Sequence, residues 1–144
     1  MRVYNETRIL MLSRSANEGY ARVAVSSFIA QLDPTVAELS DIKTAVSEAV
    51  TNSVIHGYEN CIGIIEITVR IFENRIIEIT VADKGKGIED IELARQPLFT
   101  TGNLEERSGM GFTVMESFMD TLEVVSHKNE GTTVTMTKKL SGEH

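Results

Sequence analysis

Cysteine, proline and basic residues are all scarce in this chain of 144 residues. Cys61 is the only cysteine, so no intrachain disulfide can form, and a single small thiol is expected to sit half-buried. At the N-terminus the only apolar run is Ile9 to Leu12, too short for a signal segment or a membrane span. Lys and Arg number 14 against 21 Asp and Glu, giving a formal net charge of -7. Proteins that grip nucleic-acid phosphates carry the opposite balance, so direct nucleic-acid binding is not expected, while a basic protein partner stays open. There is no cysteine–histidine cluster with zinc spacing, no G-x-S-x-G elbow and no G-x-x-x-x-G-K-[ST] loop. Together these absences point to a cytoplasmic protein that touches neither membrane nor nucleic acid.

What remains is an ordinary globular composition, 42% hydrophobic and 24% charged, with enough length for one domain spanning 1–144. Residues 3–13 read as a strand. Residues 16–32 read as a helix, capped by Ser15 or Asn17, with Tyr20, Val23, Ala24, Ser27, Phe28 and Leu32 as its inner stripe. Asp33-Pro34 breaks it, because the residue before proline is pushed away from helix. A second helix is expected over about 35–56, burying Val36, Leu39, Ile42, Val46, Ala49, Val50 and Val54 and ending at Gly57. Residues 64–72 and 75–81 form a hairpin around Glu73-Asn74. A short helix at 88–94 and a long loop at 95–108, which has the length of a lid, precede a helix at 112–118. Two strands, 122–126 and 132–137, close the chain around Asn129-Glu130-Gly131. The expected fold is α/β of the α+β kind, a two-layer sandwich of helices on a mostly antiparallel sheet.

Three short motifs carry the chemistry. Glu48 and Asn52 lie one helical turn apart on one face, His56 continues the line, and Ala45 and Ala49 beside it leave room for a ligand. Asn52 offers a neutral oxygen suited to Mg²⁺, and Glu48 can orient a hydroxyl or water and accept its proton. The same residues also read as a solvated glutamate with a polar neighbour, and His56 as a cap. Asp83 ends a β-run, where its carboxylate can accept a hydrogen bond from an exocyclic amine. Gly85 and Gly87 let the chain turn with positive φ and pass under a flat ring, though a plain strand-ending turn would use them too. No third glycine follows, which removes a Rossmann reading, and Lys84 and the glycines remove an EF-hand. Gly109, Met110 and Gly111 open the Phe112 helix, whose free N–H groups favour phosphate. Ser108 stands just before them, beside Arg107, which is placed to fork onto a terminal phosphate. A glycine hinge is the alternative. In conjunction the three describe a nucleotide site.

In this order the motifs resemble the N, G1 and G2 boxes of the gyrase, chaperone, histidine-kinase and mismatch-repair ATPase superfamily, whose Bergerat fold lays helices over an antiparallel sheet. More narrowly, residues 28–60, 94–101 and 106–120 resemble the family of sporulation anti-sigma F factors of endospore-forming bacteria. That resemblance implies an ATP-dependent protein-serine kinase that holds a sigma factor inactive, phosphorylates a serine on an anti-anti-sigma partner, and works with ATP/ADP and Mg²⁺. It implies Glu48 as catalytic base, Asn52 as magnesium ligand, and Asp83 as adenine contact with Gly85, Gly87 and Ile88 beneath the ring. His56, Thr100, Thr101, Arg107, Ser108, Gly109, Met110, Gly111 and Phe112 complete the nucleotide's surroundings, Arg107 also serving catalysis, and Thr132 helps hold the adenine end. It further implies a homodimer through the N-terminal strand and helix, with Arg22 as a candidate partner contact. One departure stands out: the family's lid commonly reads Thr-Lys-Pro where this chain has Thr101-Gly102-Asn103. A sigma-binding module without transfer is the second reading. A histidine-kinase fragment and a DNA-dependent ATPase would each need parts that these 144 residues do not contain.

Overall fold

The computed structural model describes residues 2–59, 61–86, 95 and 111–142. Five strands form one antiparallel sheet: β1 (Val3–Leu12), β2 (Ile64–Phe72), β3 (Ile76–Asp83), β4 (Thr121–His127) and β5 (Gly131–Lys139), in the order β1-β2-β3-β5-β4. Every second residue of β2 and β3 faces inward. Ile65, Ile67, Val69 and Ile71 from β2 meet Ile77, Ile79 and Val81 from β3 in the core, while Glu66, Arg70, Glu78 and Thr80 alternate with them. That β-branched, period-two pattern dictates a sheet with one covered face. Among the described residues three helices cover it: α1 (Asn17–Ile29), α2 (Val36–Asn52) and α3 (Gly111–Phe118), with α2 packed between the other two. The two-layer sandwich expected from the sequence is the one observed. Among the described residues no helix is long and apolar enough to cross a membrane.

Both hairpin turns use left-handed backbone, at Arg75 (φ 65) in the first and at Asn129 (φ 65) and Gly131 (φ 106) in the second. A single 3-10 turn at 30–32 extends α1 until Asp33, at φ 49, stops it before Pro34.

Several local expectations need correction. The inner face of α1 is centred on Ala21, Val25 and Ile29; of the predicted stripe Phe28 and Leu32 pack against the core, while Tyr20 and Val23 are 56% and 62% exposed. Neither Ser15 nor Asn17 caps α1: the N-cap is Ala16, and the Asn17 amide donates instead to the Leu12 carbonyl. Val36 is 87% exposed, because α2 is still clear of the sheet in its first turn. Ala45 and Ala49 are buried in the core. Cys61 is exposed, on the loop before β2. The short helix at 88–94, the lid loop beyond Arg95 and His144 lie outside the described residues.

Candidate functional site

The site is built where α2 ends against the end of β3. After Asn52 the helix widens into one π-turn, Ser53–Gly57, instead of running regularly to a cap at Gly57. Such wide turns re-aim the residues they contain. Here the Ser53 hydroxyl is turned toward the sheet and donates to Asp83 Oδ2 at 2.8 Å. Asp83 Oδ1 accepts the Gly85 N–H at 2.9 Å. The carboxylate, in a residue only 7% exposed, is therefore held by two donors in a fixed orientation. Oxygen lone pairs remain beyond those two bonds, as a carboxylate has about four acceptor positions.

Close backbone packing shapes the slot around it. A Cβ on Gly57 would stand 3.0 Å from the Asp83 carboxylate, and one on Gly85 would overlap the Gly57 carbonyl. Gly85 has no positive φ, so its role is close approach and not the tight turn expected of it. The Gly57 carbonyl accepts the Lys86 N–H at 2.9 Å, and the Tyr58 hydroxyl accepts the Lys84 N–H at 2.7 Å while donating to the Ile64 carbonyl at 2.7 Å. Lys86 also pairs with Glu59 at 2.7 Å; its hydrogen bond and charge hold the Glu59 carboxyl below its ordinary value. On the other side Thr132 faces Asp83 across the β3–β5 ladder, its hydroxyl 2.7 Å from that of Ser126.

Glu48 and Asn52 are half-buried one turn apart on α2, as the spacing required. His56 is half-buried in the π-turn that follows them. Gly111 and Phe112 are buried at the start of α3, while Met115 and Met119 pack into the core as expected. Gly87, Ile88, Thr100, Thr101, Arg107, Ser108, Gly109 and Met110 lie outside the described residues. Ser53, Gly57 and Tyr58 are parts of the slot that sequence reasoning missed. The adjacency of Ser53 to Asn52 was the available signal, but a serine in a helical stretch rarely stands out.

The arrangement suits a nucleotide. The Asp83 carboxylate, fixed by two donors with acceptor positions to spare, offers the acceptor that a flat base bearing an amine would use. Among the described residues no three carboxylate, histidine or cysteine side chains gather as a metal cage. A lone amide such as Asn52 fits Mg²⁺, a hard ion that keeps its waters and takes phosphate oxygens for the rest.

Comparison with known proteins agrees. Residues 12–138 match the family described as histidine kinase-like ATPase domain. The anti-sigma F factor of Thermoanaerobacter pseudethanolicus is 59% identical over 143 residues, 99% of each chain. That of Clostridium perfringens (strain 13 / Type A) is 59% identical over 138 residues, 95% of this chain and 98% of its own. Among solved structures, the RsbU and RsbW domains of Rv1364c from Mycobacterium tuberculosis align with a TM-score of 0.70 at 20% identity. The alignment covers 94% of this chain and 32% of that one. The histidine kinase domain of the blue-light activated kinase of Erythrobacter litoralis aligns at 0.59 and 21%, over 85% and 61% of the two chains. At such identities the likeness is one of fold. The chain belongs to the anti-sigma F factor family, within the histidine kinase-like ATPase domains.

Proposed function

We propose that this protein binds ATP or ADP at the Asp83 slot, holds a sigma factor inactive, and phosphorylates a serine of an anti-anti-sigma partner. The observation that carries the reading is the Asp83 carboxylate, oriented by Ser53 and Gly85 with Gly57 packed close beside it. Adenine donates its exocyclic amine to that carboxylate, with Thr132 on the opposite strand. Asn52 holds Mg²⁺, which when bound offsets charge on the phosphate oxygens. Glu48 aligns the partner's serine hydroxyl and takes its proton as the oxygen attacks the γ-phosphorus; the bond to the β–γ bridging oxygen breaks and ADP leaves. Arg107 balances charge on the transferred group. Phosphoryl transfer depends mostly on such positioning and electrostatics, which suits a site with few reactive side chains.

A homodimer through the N-terminal elements belongs to the same proposal. β1 is an edge strand carrying Leu10 at 67% exposure, and α1 turns Tyr20 and Val23 outward, so both elements offer apolar surface. Arg22, paired with Glu18 at 3.4 Å, lies on the same helix as a candidate partner contact.

The deciding experiment follows label from γ-labelled Mg·ATP onto an anti-anti-sigma protein, with the parent and Glu48→Gln side by side. Glu48→Gln is expected to bind ATP as the parent does and to transfer no label to serine. Transfer at the parental rate would remove Glu48 from the chemistry. Tight ATP binding by the parent with no label on the partner would replace the kinase by a nucleotide-dependent binding module.

A further inference from the structure

The end of the sheet remote from Asp83 is fastened by contacts of another kind. Arg75 sits in the β2–β3 turn with its side chain buried. A buried guanidinium is unfavourable unless hydrogen bonds take up its protons. Its Nε donates to the Ser141 carbonyl at 2.9 Å, and its own carbonyl accepts the Leu140 N–H at 2.9 Å. Ser141 is gripped from its other side as well, its N–H donating to Glu38 Oε2 at 2.8 Å. The second oxygen of that carboxylate accepts the Thr35 N–H at 2.8 Å, completing a capping box with the Thr35 hydroxyl. Leu140 is buried beneath, and Gly142, at φ 92, folds the chain back over Arg75; a Cβ there would lie 3.7 Å from the guanidinium.

A capping box needs only the helix's own residues. This one spends an oxygen on a residue 103 positions away, and that residue is tied in turn to the opposite layer. We infer that residues 140–142 are a clasp that fastens the start of α2 to the β2–β3 turn, with Glu38 as the positioning residue that couples them. Helix α2 is then secured at both ends, by the clasp at Thr35 and by the Ser53–Asp83 bond at the site. Opening the clasp frees the first turns of α2 and the chain at 140–142 as one unit and leaves the Asp83 end in place. Local openings of this kind are a normal mode of folded proteins.

Native-state hydrogen exchange on the full chain tests this. Ser141→Pro deletes the N–H that Glu38 accepts and touches no side chain of the capping box. Exchange of amides 38–43 and of Leu140 is expected to rise together by about tenfold, the equivalent of one net hydrogen bond, with residues 49–53 unchanged. Thr35→Ala weakens the same unit from the helix side, so it is expected to speed exchange at the start of α2 and at Leu140 together. Glu38→Gln, a milder change, is expected to reproduce Ser141→Pro and to add nothing at Leu140 when the two are combined. A rise confined to residues 140–142 would overturn the clasp. Additive effects of the two substitutions, or a uniform rise at every amide, would do the same.

Discussion

Asp83 is the residue on which the site turns, and its neighbours make separable contributions. Asp83→Asn is expected to weaken ATP by about thirtyfold, the equivalent of ~2 kcal/mol for one charge-assisted hydrogen bond, with the fold intact. Titration calorimetry on both proteins checks it, and equal affinities would remove the adenine assignment. Ser53→Ala leaves a nearly buried carboxylate oxygen without its donor. A loss of about 1–3 kcal/mol in unfolding free energy is expected, measured by denaturant titration, together with weaker ATP. Gly85→Ala brings a methyl group against the Gly57 carbonyl and is expected to be among the more damaging small changes in the slot. Asp83, Glu48 and Asn52 stood out as candidates only because three motifs, each weak alone, follow one another in a single order. Ser53 did not, since nothing in the order of residues announces a π-turn. Gly85 was found for the wrong reason: a bare glycine signals freedom at φ, whereas here it marks where two backbones meet.

Among the elements, α2 is the one whose ends matter most. Its capping box predicts that Thr35→Ala costs about 1 kcal/mol of stability, readable as a lower thermal midpoint. Glu38 adds a pH dependence. Partial burial works to raise its carboxyl, but the N–H donors of Thr35 and Ser141 outweigh that and hold it below 4.5. A depressed carboxyl contributes fully above its unfolded value and loses the contribution as pH falls through the lower folded one. The melting temperature of the parent is therefore expected to drop toward that of Glu38→Gln below about pH 4.5, and to exceed it at neutral pH. The strands and both hairpin turns were legible because alternation and turn residues are local properties. The face of α1 was legible only in part: Phe28 and Leu32 pack on the core, but its centre is Ala21, Val25 and Ile29, and Tyr20 and Val23 face outward. Val36 was misplaced for a related reason, since a periodic stripe does not say where a helix first meets its sheet.

At the scale of the whole molecule, the net charge of -7 leads to a kinetic prediction. If a basic sigma-factor surface docks here, its association rate is expected to fall steeply between about 0.05 and 0.3 M salt, while dissociation changes little. Stopped-flow association across that range checks it, and a flat profile would remove electrostatic steering. The sheet itself is assembled from two local hairpins, β2–β3 and β4–β5, joined along the β3–β5 ladder. Asp83 and Thr132 face each other across that join. During synthesis, the strand bearing Asp83 leaves the ribosome roughly 50 residues ahead of its partner, an interval of a few seconds at about 5–20 residues per second. On the proposed binding mode, a nascent chain short of β5 lacks the Thr132 side of the site, and full competence to bind ATP is expected only after that strand is added.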